Sequence, residues 1–148
     1  MFSPQLLAYF ERAACAGTVP APAARIEREN PVCGDHLVLS ARLDAAGGVA
    51  ELRYLCRGCV AAMGCAAAFT ELLAGQPLAR LAAFSERDLL TAVGSLPPAS
   101  RHAAALVLDA RDALLAALRP RSRPDAQLAG PSDSSRPPVG CAGRNCGA

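Results

Sequence analysis

The chain has 148 residues, 52% of them hydrophobic, with a mean hydropathy of +0.22, which fits one globular domain with its own core. A formal net charge of +2 gives no reason to expect nucleic acid or an anionic membrane as a partner, and the longest apolar runs fall far short of a bilayer span. Aromatic residues make up only 4% and Trp is absent, so the core must be built from Ala, Leu and Val.

Residues 4–14 read as a short helix with Leu6, Leu7, Phe10 and Ala13 on one face, Ser3 as its cap and Pro4 at its first position. Residues 15–24 form a loop rich in Ala, Pro and Gly. Residues 25–30 carry charges suited to a short edge strand. The clearest strand is 36–44, with Leu37, Leu39, Ala41 and Leu43 on one side and His36, Ser40, Arg42 and Asp44 on the other. A turn ending Gly47-Gly48 returns the chain along 49–56, with Ala50, Leu52 and Tyr54 on one face, so the two runs form an antiparallel hairpin.

Gly58 breaks that strand, and Cys59 begins a helix reaching Ala74, with Val60, Met63, Ala67 and Leu73 among its core candidates and Gly75 as its stop. Residues 77–84 give a short helix. Ser85-Glu86-Arg87-Asp88 resembles a capping box, with Asp in place of Glu, that starts a helix to about Val93. Ser100 is expected to cap a last helix to about Leu118, with Leu106, Ala110, Ala113, Leu114 and Ala117 buried. Helix, small antiparallel sheet, then helices is an α+β order, with the domain expected over 1–119. Residues 120–148, rich in Pro, Arg, Ser and Gly, are expected to be a disordered tail.

The seven cysteines do not tile the chain as a disulfide framework would. Met1-Phe2-Ser3-Pro4 lacks a basic stretch followed by an apolar core, so no secretory signal is expected. Free thiols or metal ligands in a reducing cytoplasm are therefore the expectation.

The chemistry centres on Asn30-Pro31-Val32-Cys33-Gly34-Asp35. In extended chain, residues two apart point to the same side, so Cys33 and Asp35 can aim at one point. Gly34 lets the backbone approach closely and Pro31 stiffens it. A soft thiolate beside a hard carboxylate suits a borderline metal such as zinc or ferrous iron. Cys59 sits where strand turns into helix, and a helix N-terminus lowers a thiol's pKa; the plain alternative is a buried small hydrophobe. His102 lies in the first turn of the last helix, outside its apolar stripe, where an exposed or capping histidine is the bland reading.

His36 reads as a sheet-face residue rather than a ligand. Cys56 and Cys59 form a single C-x-x-C across a strand end, which leaves Cys56 as an auxiliary thiol at the rim. Cys65, six residues into its helix, reads as core packing. Cys15, Cys141 and Cys146 carry no assigned role. The chain has no phosphate loop, dinucleotide fingerprint or G-x-S-x-G. A Cys59–His102 nucleophile and base would lack a recognisable oxyanion hole.

Asn30-Pro31-Val32-Cys33-Gly34-Asp35, then Gly58-Cys59 at a strand-to-helix turn, then Leu96-Pro97-Pro98 followed by His102, resembles the IscU/NifU N-terminal family of iron–sulfur cluster scaffolds over roughly residues 2–118. The resemblance implies a scaffold, not an enzyme. Such a scaffold receives sulfur as persulfide from a cysteine desulfurase and takes iron from an iron donor. It assembles a [2Fe-2S] cluster and hands it to recipient apo-proteins. Carried over by position, Cys33, Asp35, Cys59 and His102 are the metal ligands, holding iron, zinc or the cluster. The family's third cysteine, directly after the histidine, is replaced here by Ala103. Four donors remain, with Cys56 as a substitute if its loop lies near. After Leu96-Pro97-Pro98 the family continues Val-Lys; here Ala99-Ser100 follow, which argues against recognition by an Hsp70-type chaperone. Two other readings stand beside the scaffold: a zinc-bound sulfur acceptor dependent on Cys59, and a non-catalytic module that regulates a desulfurase.

Overall fold

The architecture is that of a computed structural model, which describes residues 2–21 and 23–118. The elements run α1 (Pro4–Arg12), β1 (Ala24–Glu29), β2 (His36–Leu43), β3 (Val49–Arg57), α2 (Val60–Leu73), α3 (Leu78–Ala83), α4 (Glu86–Val93), a 3-10 turn (Pro98–Ser100) and α5 (Arg101–Leu118). The strands form one antiparallel sheet in the order β1-β2-β3. The expected tail, with Cys141 and Cys146, lies outside the described residues.

One face of the sheet is apolar: Leu37, Leu39 and Ala41 of β2 and Leu52 and Tyr54 of β3 are buried. α2 packs against β3, and α5 packs against β1 and β2. α1 and α4 lie against α2. The centre is α2, buried on almost every side and built largely from alanine. Its all-round apolar sequence is what a helix inside a core requires, and its small side chains admit close neighbours. Gly64 is one such place, because a Cβ there would lie 2.5 Å from Leu6 Cδ1. Phe69 fills the remaining space in an edge-on pair with Phe84, centroids 5.5 Å apart. Thr70 is fully buried, and its hydroxyl donates to the carbonyls of Ala66 at 2.9 Å and Ala67 at 3.1 Å.

The termini follow local chemistry. Ser3 Oγ accepts the Leu6 N–H at 3.0 Å and also donates to the Val93 carbonyl, tying α1 to the end of α4. The Ser85–Asp88 capping box forms in both directions. The last helix is entered through the 3-10 turn, with the Arg101 N–H donating to the Pro98 carbonyl, instead of through a simple Ser100 cap. Arg101 also pairs with Glu86 of α4 at 2.6 Å, and Arg28 of β1 pairs with Asp109 of α5 at 3.1 Å.

Several faces differ from the sequence reading. Val49, not Ala50, turns inward, because the β2–β3 ladder shifts register between Arg42 and Leu43 and Ala50 falls at the irregularity. Val38 and Ser40 are buried on the other side of the sheet, where the Val19 N–H donates to Ser40 Oγ at 2.9 Å. Within α2, Val60 and Met63 are only partly buried, and Ala117 of α5 is exposed.

Candidate metal centre

The loop between β1 and β2 presents the first two donors. It is a compact turn, not the extended segment expected from the sequence. The Asn30 N–H donates to the Asp35 carbonyl at 2.8 Å, and the Gly34 N–H returns to the Asn30 carbonyl at 2.7 Å. The Asn30 side chain accepts the Val32 N–H at 2.9 Å. Gly34 has φ +79°, the left-handed region where a side chain is strained, so glycine is needed for backbone conformation. Cys33 and Asp35 converge through this folding of the turn.

Asp35 is 3% exposed and lies where three segments meet. Its Oδ1 accepts the Cys59 N–H at 3.0 Å, and the Cys59 thiol donates to Oδ2 at 3.4 Å. His102 Nε2, from the first turn of α5, is 3.4 Å from the same Oδ2. Room for this carboxylate comes from Gly58: a Cβ at that position would sit 2.1 Å from Oδ1. Cys59 is the N-cap of α2, its Sγ accepting the Ala62 N–H at 3.4 Å, so the expected strand-to-helix junction is present.

The donor atoms of Cys33, Asp35 and His102 all lie within 4.8 Å of one another. Cys59 Sγ lies outside that group and touches it only at Asp35 Oδ2, 3.4 Å away. His102 Nε2 is buried without a hydrogen-bond partner among the described residues, even though it is close to the carboxylate. A buried imidazole nitrogen beside a thiol and a carboxylate is suited to a cation, and this donor set fits iron or zinc.

Electrostatics bind the cluster together. Burial pushes the Asp35 carboxyl upward. Hydrogen bonds from the Cys33 thiol and from the N–H and thiol of Cys59, with the charge of His102, outweigh it and hold the pKa below its usual value. At Cys33 the largest influence, a backbone hydrogen bond at Asp35, favours thiolate. Desolvation, the Asp35 carboxylate and Cys59 together overcome it, and the pKa rises. A cation arriving between these groups would reverse that balance.

Cys56 lies on the sheet's inner side, opposite Leu37, and is half-buried. Burial first, then the charges of Asp35 and Cys59, push its thiol up to about 12. Its donor atom is outside the converging group. Cys56 belongs to β3 and Cys59 caps α2, with the bend at Gly58 between them, and both thiols are free. Cys65 is fully buried and burial raises its thiol to about 12, as core packing requires. His36 stands apart, with Nε2 3.6 Å from Glu27 Oε1. Ala103, directly after the histidine, is fully buried. Two supporting residues escaped the sequence reading in these roles. Asn30 ties the loop, as an Asn before Pro signals a turn, and Gly58 clears space for Asp35.

Fold and site together define a small α+β domain with a rim of thiol, carboxylate and imidazole donors at one end of its sheet. The chain belongs to the NifU-like N terminal domain family, whose model matches residues 1–123. It is 32% identical over 110 residues to the bifunctional protein NifU/MnmA of Rubrobacter xylanophilus, covering 74% of this chain and 22% of that protein. It is 39% identical over 89 residues to the nitrogen fixation protein NifU of Cereibacter sphaeroides, covering 60% and 36%. It is 28% identical over 81 residues to the iron–sulfur cluster assembly scaffold protein IscU of Aquifex aeolicus, covering 54% and 52%. These matches thus span from 22% to 52% of the relatives' own lengths.

The same fold occurs in a putative iron–sulfur cluster assembly scaffold protein for the SUF system from Fervidobacterium islandicum (TM-score 0.60, 15% identity, 80% of this chain and 96% of that one). It also occurs in a NifU-like N-terminal protein from Brucella abortus (TM-score 0.59, 14% identity, 79% and 91%). Among the described residues, no helix is long and apolar enough to cross a membrane.

Proposed function

We propose that this chain is a scaffold on which an iron–sulfur cluster of the [2Fe-2S] type is assembled and from which it passes to recipient apo-proteins. The observation that carries the reading is the convergence of the Cys33, Asp35 and His102 donor atoms within 4.8 Å, with the Cys59 thiol on the same carboxylate. Two thiolates, one imidazole and one carboxylate supply four donors, the number that tetrahedral zinc or the terminal positions of a two-iron cluster require. Cys33 and Cys59 are both exposed, so cargo can enter and leave without opening the core.

In this reading the protein is a carrier, not a catalyst, working in the cytoplasm. Sulfur reaches an exposed thiol as persulfide from a cysteine desulfurase, an external two-electron reductant cleaves the S–S bond to give sulfide and return the thiolate, and iron comes from a separate donor. Asp35, held ionised by its hydrogen bonds, keeps the Cys33 loop, the Cys59 turn and His102 in register before cargo arrives. The test is anaerobic reconstitution with iron, cysteine, a thiol reductant and a desulfurase. Visible cluster absorbance is expected in the parent and absent in Cys33→Ala and Cys59→Ala. No absorbance in the parent, or equal absorbance in the variants, would sink the proposal.

Ala103 favours a second reading. Its position is fully buried and offers no thiol beside His102, so two thiolates must do the holding. A zinc-bound sulfur acceptor that relays persulfide through Cys59 needs no more than that. It would purify with zinc and without sulfide, and would stimulate a desulfurase in a Cys59-dependent way.

A further inference from the structure

Residues 31–34 of the β1–β2 loop are all exposed, and a Cβ added at Gly34 would meet no atom within 4 Å beyond its chain neighbours. Core packing therefore does not set the shape of this loop. Its Cys33 sulfur nevertheless lies within 4.8 Å of donor atoms of Asp35 and His102. What folds the loop is a set of hydrogen bonds that share one residue. The Asn30 N–H donates to the Asp35 carbonyl at 2.8 Å and closes the neck, and the Asn30 carbonyl accepts the Gly34 N–H at 2.7 Å. The Asn30 side chain accepts the Val32 N–H at 2.9 Å. The first two are backbone bonds open to other residues. The third belongs to the side chain, and it turns the chain where Pro31 has no N–H to give.

We propose that Asn30 is a positioning residue for the metal centre: its side-chain bond to the Val32 N–H aims the Cys33 sulfur at the point shared with Asp35 and His102. The inference rests on the proposed function and adds to it the residue that presents the first thiolate. The Asn30 side-chain oxygen is occupied by Val32, so Asn30 acts through Cys33 and is not itself a ligand. Cys33 follows Val32 directly and is exposed, so a change in chain direction at Val32 passes straight to the sulfur. The same turn brings the Asp35 backbone N–H to the Cys33 sulfur, a bond that suits a thiolate. A loop folded before the metal arrives incurs little ordering cost on binding. Without the side-chain bond that cost falls on the affinity, although every donor remains in the chain.

The test measures zinc affinity of the full chain by competition with a chelator, for the parent, Asn30→Ala, Asn30→Asp, Cys33→Ala and the double variant Asn30→Ala with Cys33→Ala. Asn30→Ala should weaken zinc binding by about tenfold, the scale of residues that orient a ligand. Its cobalt form should lose part of the sulfur-to-cobalt charge-transfer absorption. Asn30→Asp keeps the accepting oxygen and should hold zinc at the parent's affinity or above it. In the Cys33→Ala background, Asn30→Ala should cost nothing further, because no sulfur is left to aim. Parent-like affinity and spectrum in Asn30→Ala would overturn the proposal. So would a tenfold loss that persists in the Cys33→Ala background, which would make Asn30 a support of the fold at large. Parent affinity in Cys33→Ala itself, or a parent that binds no zinc, would instead remove the proposed centre, and the role of Asn30 with it.

Discussion

β2 has an aspartate at each end, and the two do opposite work. Asp44, just after the strand, turns its carboxylate back on its own loop, where Oδ1 accepts the N–H groups of Ala46 at 2.9 Å and Gly48 at 2.8 Å. It is exposed and serves one tight turn. Asp35, just before the strand, is buried and serves segments distant in sequence: the Cys59 N–H and thiol 24 residues on, and the His102 ring beyond them. The same side chain is a local turn-former where it meets its own backbone, and a junction where the topology brings other elements to it. At one end of β2 the aspartate closes its own turn, while at the other it joins segments far apart in sequence and lies among the candidate donors.

The largest effect that could break this contrast is on metal binding. Asp35→Ala should weaken zinc binding by on the order of a hundredfold, because it removes a donor and also releases Cys59 and His102. Asp44→Ala should leave zinc binding unchanged and cost about 1 kcal/mol of stability through its lost turn bonds. Chelator competition and denaturant unfolding on both variants distinguish the two ends.

Gly58→Ala comes next. Its Cβ would collide with Asp35 Oδ1, so the carboxylate must swing out while every donor remains in the sequence. The expected loss in zinc affinity is about tenfold, in the range of supporting-residue effects. The cobalt-substituted protein should show altered d–d bands, since the ligand geometry changes. A parent-like spectrum would mean that Asp35 does not need the space.

Gly34→Ala tests the turn itself. Left-handed backbone at φ +79° makes alanine costly by about 1 kcal/mol, although no atom lies within 4 Å of the added methyl. The smallest effect lies far from the site, at the α4 cap. Hydrogen bonds from the backbone and side chain of Ser85 hold the Asp88 carboxyl below its usual pKa. Its contribution is therefore present above the ordinary carboxylate value of about 4 and is lost as pH falls through the lowered folded value. Thermal melts from neutral to acid pH should show Asp88→Asn flattening a small part of that decline.

The proposed donors stand out in the sequence because each sits at a punctuation mark: Cys33 and Asp35 around a glycine, Cys59 after one, His102 just inside a helix start. Their convergence does not, since it depends on which strand ends share a rim. Cys33 and Asp35 do lie close, but not through the expected alternation in extended chain, because hydrogen bonds of Asn30 fold the segment into a turn. Helix ends were legible wherever a side chain makes the cap, as at Ser3 and Ser85. Faces were misread where tertiary structure intervened. Ala50 was displaced by a ladder irregularity, and Ser40 was buried where the segment at Val19 bonds its hydroxyl. Alanine-rich periodicity carries little information about which side of such a helix faces inward.

The most direct test of the central claim is iron, zinc and acid-labile sulfide analysis on protein purified without oxygen, with Cys59→Ala prepared alongside. The account predicts iron and sulfide in equal amounts in the parent and loss of both in the variant. The same iron and sulfide in parent and variant, or one zinc per chain without sulfide in the parent, would contradict a cluster held at Cys33, Asp35, Cys59 and His102.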